Sequence, residues 1–399
     1  MQPGQFEMTI EELRSRRNAK WSRFGEEVLP AWVAEMDFAM APPVQEAIAK
    51  IVREQDYGYP RRNGLPAGEA VSKAFVARME ERFGWTTSAD LVLPLADLVQ
   101  GTYAPIFAFT DPGDGIILQM PAYPPFHDAI NITGRRLIKN QLTDSGERFE
   151  LDFDAMEASI DETTKMIVLC NPHNPTGRVF SRDDLLRLGQ IAIRHGLYVV
   201  SDEIHADLAH PGHEHIPFAS LSREIAARTI TLNSATKSFN IPGLRCAVMH
   251  FGDAELFARF DSALPKKLMG QPSIIGIDAT VAAWMEGQPW LDSTLGHLTA
   301  VRDHIFERLG REIPAVRGYS PEATYMAWLD CSGLDLDRPA FDFFHDEAGV
   351  AFSPGETFDA GCSQFVRFNF ATSMEIADKI VDRMVSAIGK IDRNVVTAG

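Results

Sequence analysis

Four short apolar runs, each ending in a polar or aromatic loop, constrain this chain more than any other feature. They are Gly115–Met120 (GIILQM), Lys165–Cys170 (KMIVLC), Leu197–Ser201 (LYVVS) and Thr229–Leu232 (TITL). Continuous apolar runs of this length fit strands buried on both faces. Between the second and third, Ser181–His195 reads as a helix. Ser181 can cap it, and Asp184 completes a capping-box pattern. Leu185, Leu188 and Ala192 share one face, and Gly196 is a plausible stop. Strand, loop, helix, strand predicts an α/β fold with a mostly parallel sheet covered by helices.

In such folds ligands sit beyond the C-terminal ends of the strands. The unusual residues fall there. Run 115–120 leads into Pro121-Ala122-Tyr123-Pro124-Pro125-Phe126, and run 165–170 into Asn171-Pro172-His173-Asn174-Pro175-Thr176-Gly177. Run 197–201 leads into Asp202-Glu203-Ile204-His205, and run 229–232 into Asn233-Ser234-Ala235-Thr236-Lys237-Ser238. Any one of these loops could be an ordinary turn or cap. Four at one rim of one α/β unit point to a site.

Several function classes are excluded or disfavoured. The 399 residues carry a formal net charge of −17, a field that repels nucleic acid and anionic membranes. An anionic ligand must therefore be held by a local positive site. The four cysteines, Cys170, Cys246, Cys331 and Cys362, form no C-x-x-C pair, so neither a disulfide framework nor a zinc module is expected. His205, His210, His213 and His215 match no H-E-x-x-H spacing, and no metal is expected there. The sequence holds no G-x-G-x-x-G, no P-loop and no G-x-S-x-G elbow. It has no apolar leader pattern and no transmembrane run, so a cytoplasmic protein is expected.

What remains is Lys237 after a strand, with hydroxyl residues before it and Arg245 eight residues on, and Asp202 at another strand end. This is the set that pyridoxal phosphate chemistry needs. A lysine amine forms the Schiff base. A carboxylate keeps the pyridine nitrogen protonated. Hydroxyls, backbone N–H groups and an arginine hold the phosphate, and an aromatic ring stacks on the cofactor.

Longer segments carry a specific resemblance. They include Lys20-Trp21, Leu29–Phe38 (LPAWVAEMDF), Tyr57–Pro60, Pro121–Phe126, Cys170–Gly177, Asp202–Asp207, Thr236–Asn240, Thr324–Asp330 and Phe365–Asn369. The chain resembles fold-type I pyridoxal-phosphate enzymes of the class I/II aminotransferase superfamily. Within them it is similar to the cystathionine β-lyase (C–S lyase) branch of the MalY/PatB type.

The resemblance implies a role for each matching residue. Lys237 is the Schiff-base lysine and the base at Cα, and Asp202 partners the pyridinium nitrogen. Asn174 donates to the cofactor O3′, and Tyr123 stacks on the ring. Ser234, Thr236 and Arg245 are phosphate ligands, joined by backbone N–H groups of Leu98, Val99 and Gln100. Tyr59 reaches the phosphate of a neighbouring subunit, which implies a homodimer. Arg367 pairs with the substrate α-carboxylate, a task suited to a bidentate guanidinium. The substrate-binding set is thus Arg367, Asn174 and Tyr59.

Three positions depart from the pattern. His205 stands where aspartate aminotransferase-like enzymes carry a tyrosine that donates to O3′. Glu35 stands where the lyase branch often has Asp, and Arg245 follows the general aminotransferase pattern.

The resemblance implies β-elimination from L-cystathionine or another cysteine S-conjugate, giving thiol, pyruvate and ammonia. Tyr123 and Lys237 are the candidates to protonate the leaving sulfur. An aminotransferase is the rival enzyme class, and a regulatory protein that retains the fold is a non-enzymatic one. Trp32, Phe38, Tyr57, Phe126 and Phe352 could line a substrate pocket or serve the core. The expected organisation is a large cofactor domain over residues 45–285, with 1–44 and 286–399 forming a smaller α/β domain that carries Arg367.

Overall fold

The computed structural model describes residues 7–62 and 64–397. The chain divides into two compact units, taken in turn. The larger comprises residues 40–173 and 178–291. Its centre is a seven-stranded sheet of β1 (Val92–Leu95), β2 (Gly115–Met120), β3 (Arg136–Gln141), β4 (Thr164–Cys170), β5 (Tyr198–Asp202), β6 (Thr229–Asn233) and β7 (Ala247–Phe251). The spatial order is β1-β7-β6-β5-β4-β2-β3. The pairs β6–β5, β5–β4, β4–β2 and β2–β3 are parallel, whereas β7 runs antiparallel to both β6 and β1.

The uninterrupted apolar runs have the predicted cause. Ile116, Leu118, Met166, Val168 and Val200 pack into a core on one face of the sheet. Ile117, Ile167, Leu169 and Val199 pack into a second core on the other. Each such aliphatic side chain removed from water stabilises the fold by about 1.5–3 kcal/mol. The helix Arg182–His195 covers the second face with Leu185, Leu188, Ile191 and Ala192. Both halves of its capping box form between Ser181 and Asp184, and Gly196 ends it at φ 69°.

Strand β5 extends one residue further than its apolar run. Asp202 is its last residue, paired with Cys170 of β4 and Leu232 of β6. Register therefore sets the ends of the three central strands in one row. The helix Leu98–Phe109 lies against the same end of β6. A Cβ on Gly101 would stand 3.0 Å from the Leu232 side chain, so glycine permits this approach.

The smaller unit comprises residues up to 39, residues 174–177 and residues from 292 onward. Its antiparallel sheet is built from β8 (Arg317–Gly318), β9 (Met326–Asp330), β10 (Ser353–Pro354) and β11 (Phe365–Asn369), in the order β8-β9-β11-β10. Arg367 is central on β11, opposite Trp328 on one side and Ser353 on the other. No helix among the described residues is long and apolar enough to cross a membrane.

Candidate active site

The candidate residues fall in both units, and each group is described within its own. In the larger unit the central groups are Asp202 and Lys237. Asp202 is 3% exposed, and its Oδ1 accepts the Ile204 N–H at 3.0 Å. Among the described residues no other group donates to this carboxylate. Burial pushes its pKa up, to about 7. The Ile204 N–H opposes the shift, the charge of Glu203 adds to it and that of Lys237 opposes it. Neighbouring Glu203, the first residue past the end of β5, faces a different environment. Its carboxylate accepts from Ser201 Oγ at 2.8 Å and Phe218 N–H at 2.9 Å, and lies 3.1 Å from His215 Nε2. His215 thus belongs to a buried staple beside β5.

Lys237 is half-buried on the single helical turn Ala235–Ser238, four residues beyond the end of β6. Ser234 caps that turn by accepting the Thr236 N–H at 3.1 Å. The Ser234 hydroxyl lies 2.6 Å from the Cys246 carbonyl and 2.9 Å from Thr236 Oγ1. Tyr123 and His205 end on the same rim. Tyr123 precedes the helix Pro124–Ile132 and meets Phe126 edge-on at 5.6 Å, and His205 is buried three residues after Asp202.

Leu98, Val99 and Gln100 form the first turn of Leu98–Phe109, where backbone N–H groups lack intrahelical acceptors. Asp97, which sequence reasoning passed over, is the N-cap. Its Oδ1 accepts the Val99 N–H at 2.8 Å, and its Oδ2 lies 2.5 Å from Arg245 Nη1. Arg245 is 69% exposed at its side chain and adopts φ 48°. The signal was present: an Asp directly before an apolar helical stretch is a cap pattern. The Gln100 side chain donates to the Met269 carbonyl at 2.8 Å. Tyr59 is 97% exposed on its own chain.

In the smaller unit, Arg367 is 5% exposed and heavily constrained. Nη1 donates to Asn174 Oδ1 at 2.9 Å, and Nη2 to the Trp32 carbonyl at 2.9 Å and Ser353 Oγ at 3.0 Å. Its guanidinium lies 4.9 Å from the Phe358 ring centroid. Since the Asn174 oxygen takes the arginine N–H, Nδ2 is the end of that amide able to donate.

The segment carrying Trp32 is pinned by residues that sequence patterns gave no role. Lys20 Nζ meets Asp37 Oδ2 at 2.7 Å, and both residues are buried. The Trp21 indole donates to Asp37 Oδ1 at 2.6 Å, and Asn369 Nδ2 donates to the carbonyls of Val33 and Glu35. Of the five aromatics considered for a pocket, Phe38, Phe126 and Phe352 are fully buried. Trp32 is half-buried and Tyr57 exposed.

The model for the family described as aminotransferase class I and II matches residues 35–384. The chain is 32% identical to cystathionine β-lyase PatB of Bacillus subtilis, across 95% of this chain and 98% of that one. The crystal structure of OvoB superimposes with a TM-score of 0.88 at 37% identity, covering 94% of this chain and 97% of the other. Cystalysin from Treponema denticola, solved with pyridoxal 5′-phosphate, gives a TM-score of 0.89 at 28% identity, covering 96% and 98%.

The residues fit that cofactor. A buried carboxylate with one N–H donor and a pKa pushed to about 7 is poorly solvated, and a cationic ring nitrogen would restore its charged form. A half-buried lysine amine on a capped turn lies within its electrostatic reach. The cofactor is pyridoxal 5′-phosphate, and the chain belongs to the class I and II aminotransferase family, in its MalY/PatB-like cystathionine β-lyase branch.

Proposed function

We propose that this protein is a C–S β-lyase that cleaves L-cystathionine or a related cysteine S-conjugate to thiol, pyruvate and ammonia. The observation that carries the reading is similarity over 95% of the chain to a cystathionine β-lyase, in a sequence that carries Lys237, Asp202, Asn174 and Arg367. Bound pyridoxal phosphate supplies the electron sink for a carbanion at Cα. Lys237 would hold the cofactor through its amine, and the same amine, when free, would take the Cα proton. Asp202 keeps the proton on the ring nitrogen, and Asn174 donates to O3′. Tyr123 stacks on the ring.

Ser234, Thr236, Arg245 and the first-turn N–H groups of Leu98, Val99 and Gln100 are assigned to the phosphate. His205 takes the place of an O3′-donating tyrosine. Arg367 takes the α-carboxylate, with the Trp32 carbonyl and Ser353 fixing its fork. The Cα–H and Cβ–S bonds break. Tyr123 or protonated Lys237 would return a proton to sulfur, and the aminoacrylate that remains, once free, would hydrolyse to pyruvate and ammonia.

In this reading residues 45–285 form the cofactor domain, and 1–44 with 286–399 form the domain that carries Arg367. The working unit is a homodimer. Tyr59, with its ring in solvent on its own chain, is assigned to the cofactor phosphate of the second copy. A cytoplasmic location accompanies the reading.

A second reading, an aminotransferase, is supported by the matched family's description and by Arg245. It differs in the fate of the carbanion. The purified protein is incubated with L-cystathionine and no keto acid. Thiol and pyruvate in equal amounts support the lyase. Turnover that needs an added keto acid supports the transaminase.

A further inference from the structure

One buried ion pair of the larger unit has no part in the chemistry above. Arg78, on the helix Gly68–Phe83, meets Asp207, five residues after Asp202. Nη2 lies 2.7 Å from Oδ1, and Nε lies 3.1 Å from both carboxylate oxygens. Two further contacts use other N–H groups of the fork. Nη1 reaches the Trp284 carbonyl at 3.3 Å, and Nη2 reaches Gln288 Oε1 at 3.2 Å. Both charged side chains are almost fully buried. Burying two charges carries a desolvation cost that their attraction barely offsets, so such a pair adds little net stability.

What the pair touches gives it a purpose. Ser238, the residue after Lys237, donates its hydroxyl to Asp207 Oδ2 at 3.3 Å. The next residue, Phe239, lies with its ring centroid 5.6 Å from the Arg78 guanidinium and stacks on Trp290 at 6.0 Å. The turn Ala235–Ser238 is too short to hold its own geometry, since a single helical turn is an unfavourable nucleus. It is fixed by Ser234 on the sheet side and by Ser238 and Phe239 on the Arg78–Asp207 side. The loop leaving Asp202 is anchored at Asp207 by the same guanidinium.

We propose that Arg78 and Asp207 are positioning residues for the reaction, holding the Lys237 turn and the Asp202 strand end in a fixed mutual geometry. The inference rests on Lys237 being the cofactor-bearing lysine. A misplacement of about 1 Å at such a group can cost about a hundredfold in rate, which explains why a costly pair is placed there.

The test uses the full-length holoenzyme. The readout is the pH midpoint of the absorbance of Lys237-bound cofactor, with thermal unfolding recorded alongside. In Asp207→Asn, Arg78 is left as an uncompensated buried cation beside the lysine turn, while Asp202, Glu203 and His205 are unchanged. The midpoint should fall by about one pH unit, and Asp207→Glu should restore most of it. A folded Asp207→Asn holoenzyme with the wild-type midpoint would overturn the proposal.

If Asp207→Asn fails to fold, Ser238→Ala decides. It keeps the ion pair and loses only the link to the turn. Cofactor-stripped protein is mixed with pyridoxal phosphate and reduced with borohydride at intervals, and the Lys237 adduct is measured by mass spectrometry. Capture about tenfold slower, at unchanged melting temperature, supports the proposal, and wild-type capture overturns it. A wild-type protein that gives no adduct at Lys237 overturns the cofactor-lysine assignment, and the proposal with it.

Discussion

Asp97 and Arg245 form a 2.5 Å ion pair, and the same carboxylate caps the helix Leu98–Phe109. The helix N-terminus and the arginine are the two positive features assigned to the cofactor phosphate. If that assignment holds, the Asp97 carboxylate, which contacts both, would compete with the phosphate. Asn caps a helix about as well as Asp but carries no charge. Asp97→Asn should therefore leave the melting temperature of cofactor-free protein nearly unchanged. It should tighten pyridoxal-phosphate binding about three- to tenfold, the effect of removing one partly screened like charge. Unchanged or weaker binding in a fluorescence titration would refute the competition.

Asp202 makes a signed prediction for pH. Burial raises its pKa from 3.8 to about 7 in the folded chain, so here the folded state binds the proton more tightly than the unfolded one. Stability from the protonated form is present below pH about 4 and is lost as pH rises through about 7. Cofactor-free wild type should lose stability against Asp202→Asn across that window, on the order of a few kcal/mol. Urea melts at several pH values measure it. A difference that is flat with pH would show that burial does not perturb this carboxyl.

Lys20 and Asp37 form a buried pair at 2.7 Å in the smaller unit. Lys20→Met strands the Asp37 carboxylate and should cost about 3–5 kcal/mol. Adding Asp37→Asn removes the stranded charge and should recover a substantial part of that loss. Chemical denaturation of the single and double variants checks both. A double variant no more stable than Lys20→Met alone would show that the charge is not the cause.

Arg367 uses its planar fork to contact Asn174, Ser353 and the Trp32 carbonyl at once. Arg367→Lys keeps the charge but cannot reproduce three directed contacts and a bidentate carboxylate grip. KM for α-carboxylate substrates should rise about tenfold or more, with kcat falling less. An unchanged KM removes Arg367 from the substrate site.

Much of the larger unit was legible because its signals are local. The apolar runs at 115–120 and 165–170 give the strands, and Ser181, Asp184 and Gly196 bound a helix. Asp202 and Lys237 stand out since strand ends concentrate polar groups that packing does not require. The supports were not legible for a physical reason: they are long-range. Arg78 meets Asp207 across 129 positions, Asp97 meets Arg245 across 148, and Arg367 reaches Trp32 across 335. No periodicity or cap rule links such residues. Glu203 was likewise hidden, because its partners His215 and Phe218 lie 12 and 15 positions away.

The most direct test of the central claim is a product balance. Holoenzyme is given L-cystathionine without any keto acid, and thiol, pyruvate and ammonia are measured together, with Lys237→Ala in parallel. The three products should appear in equal amounts from the wild type and be absent from Lys237→Ala. No products without an acceptor, alongside transamination when one is added, would contradict the lyase assignment.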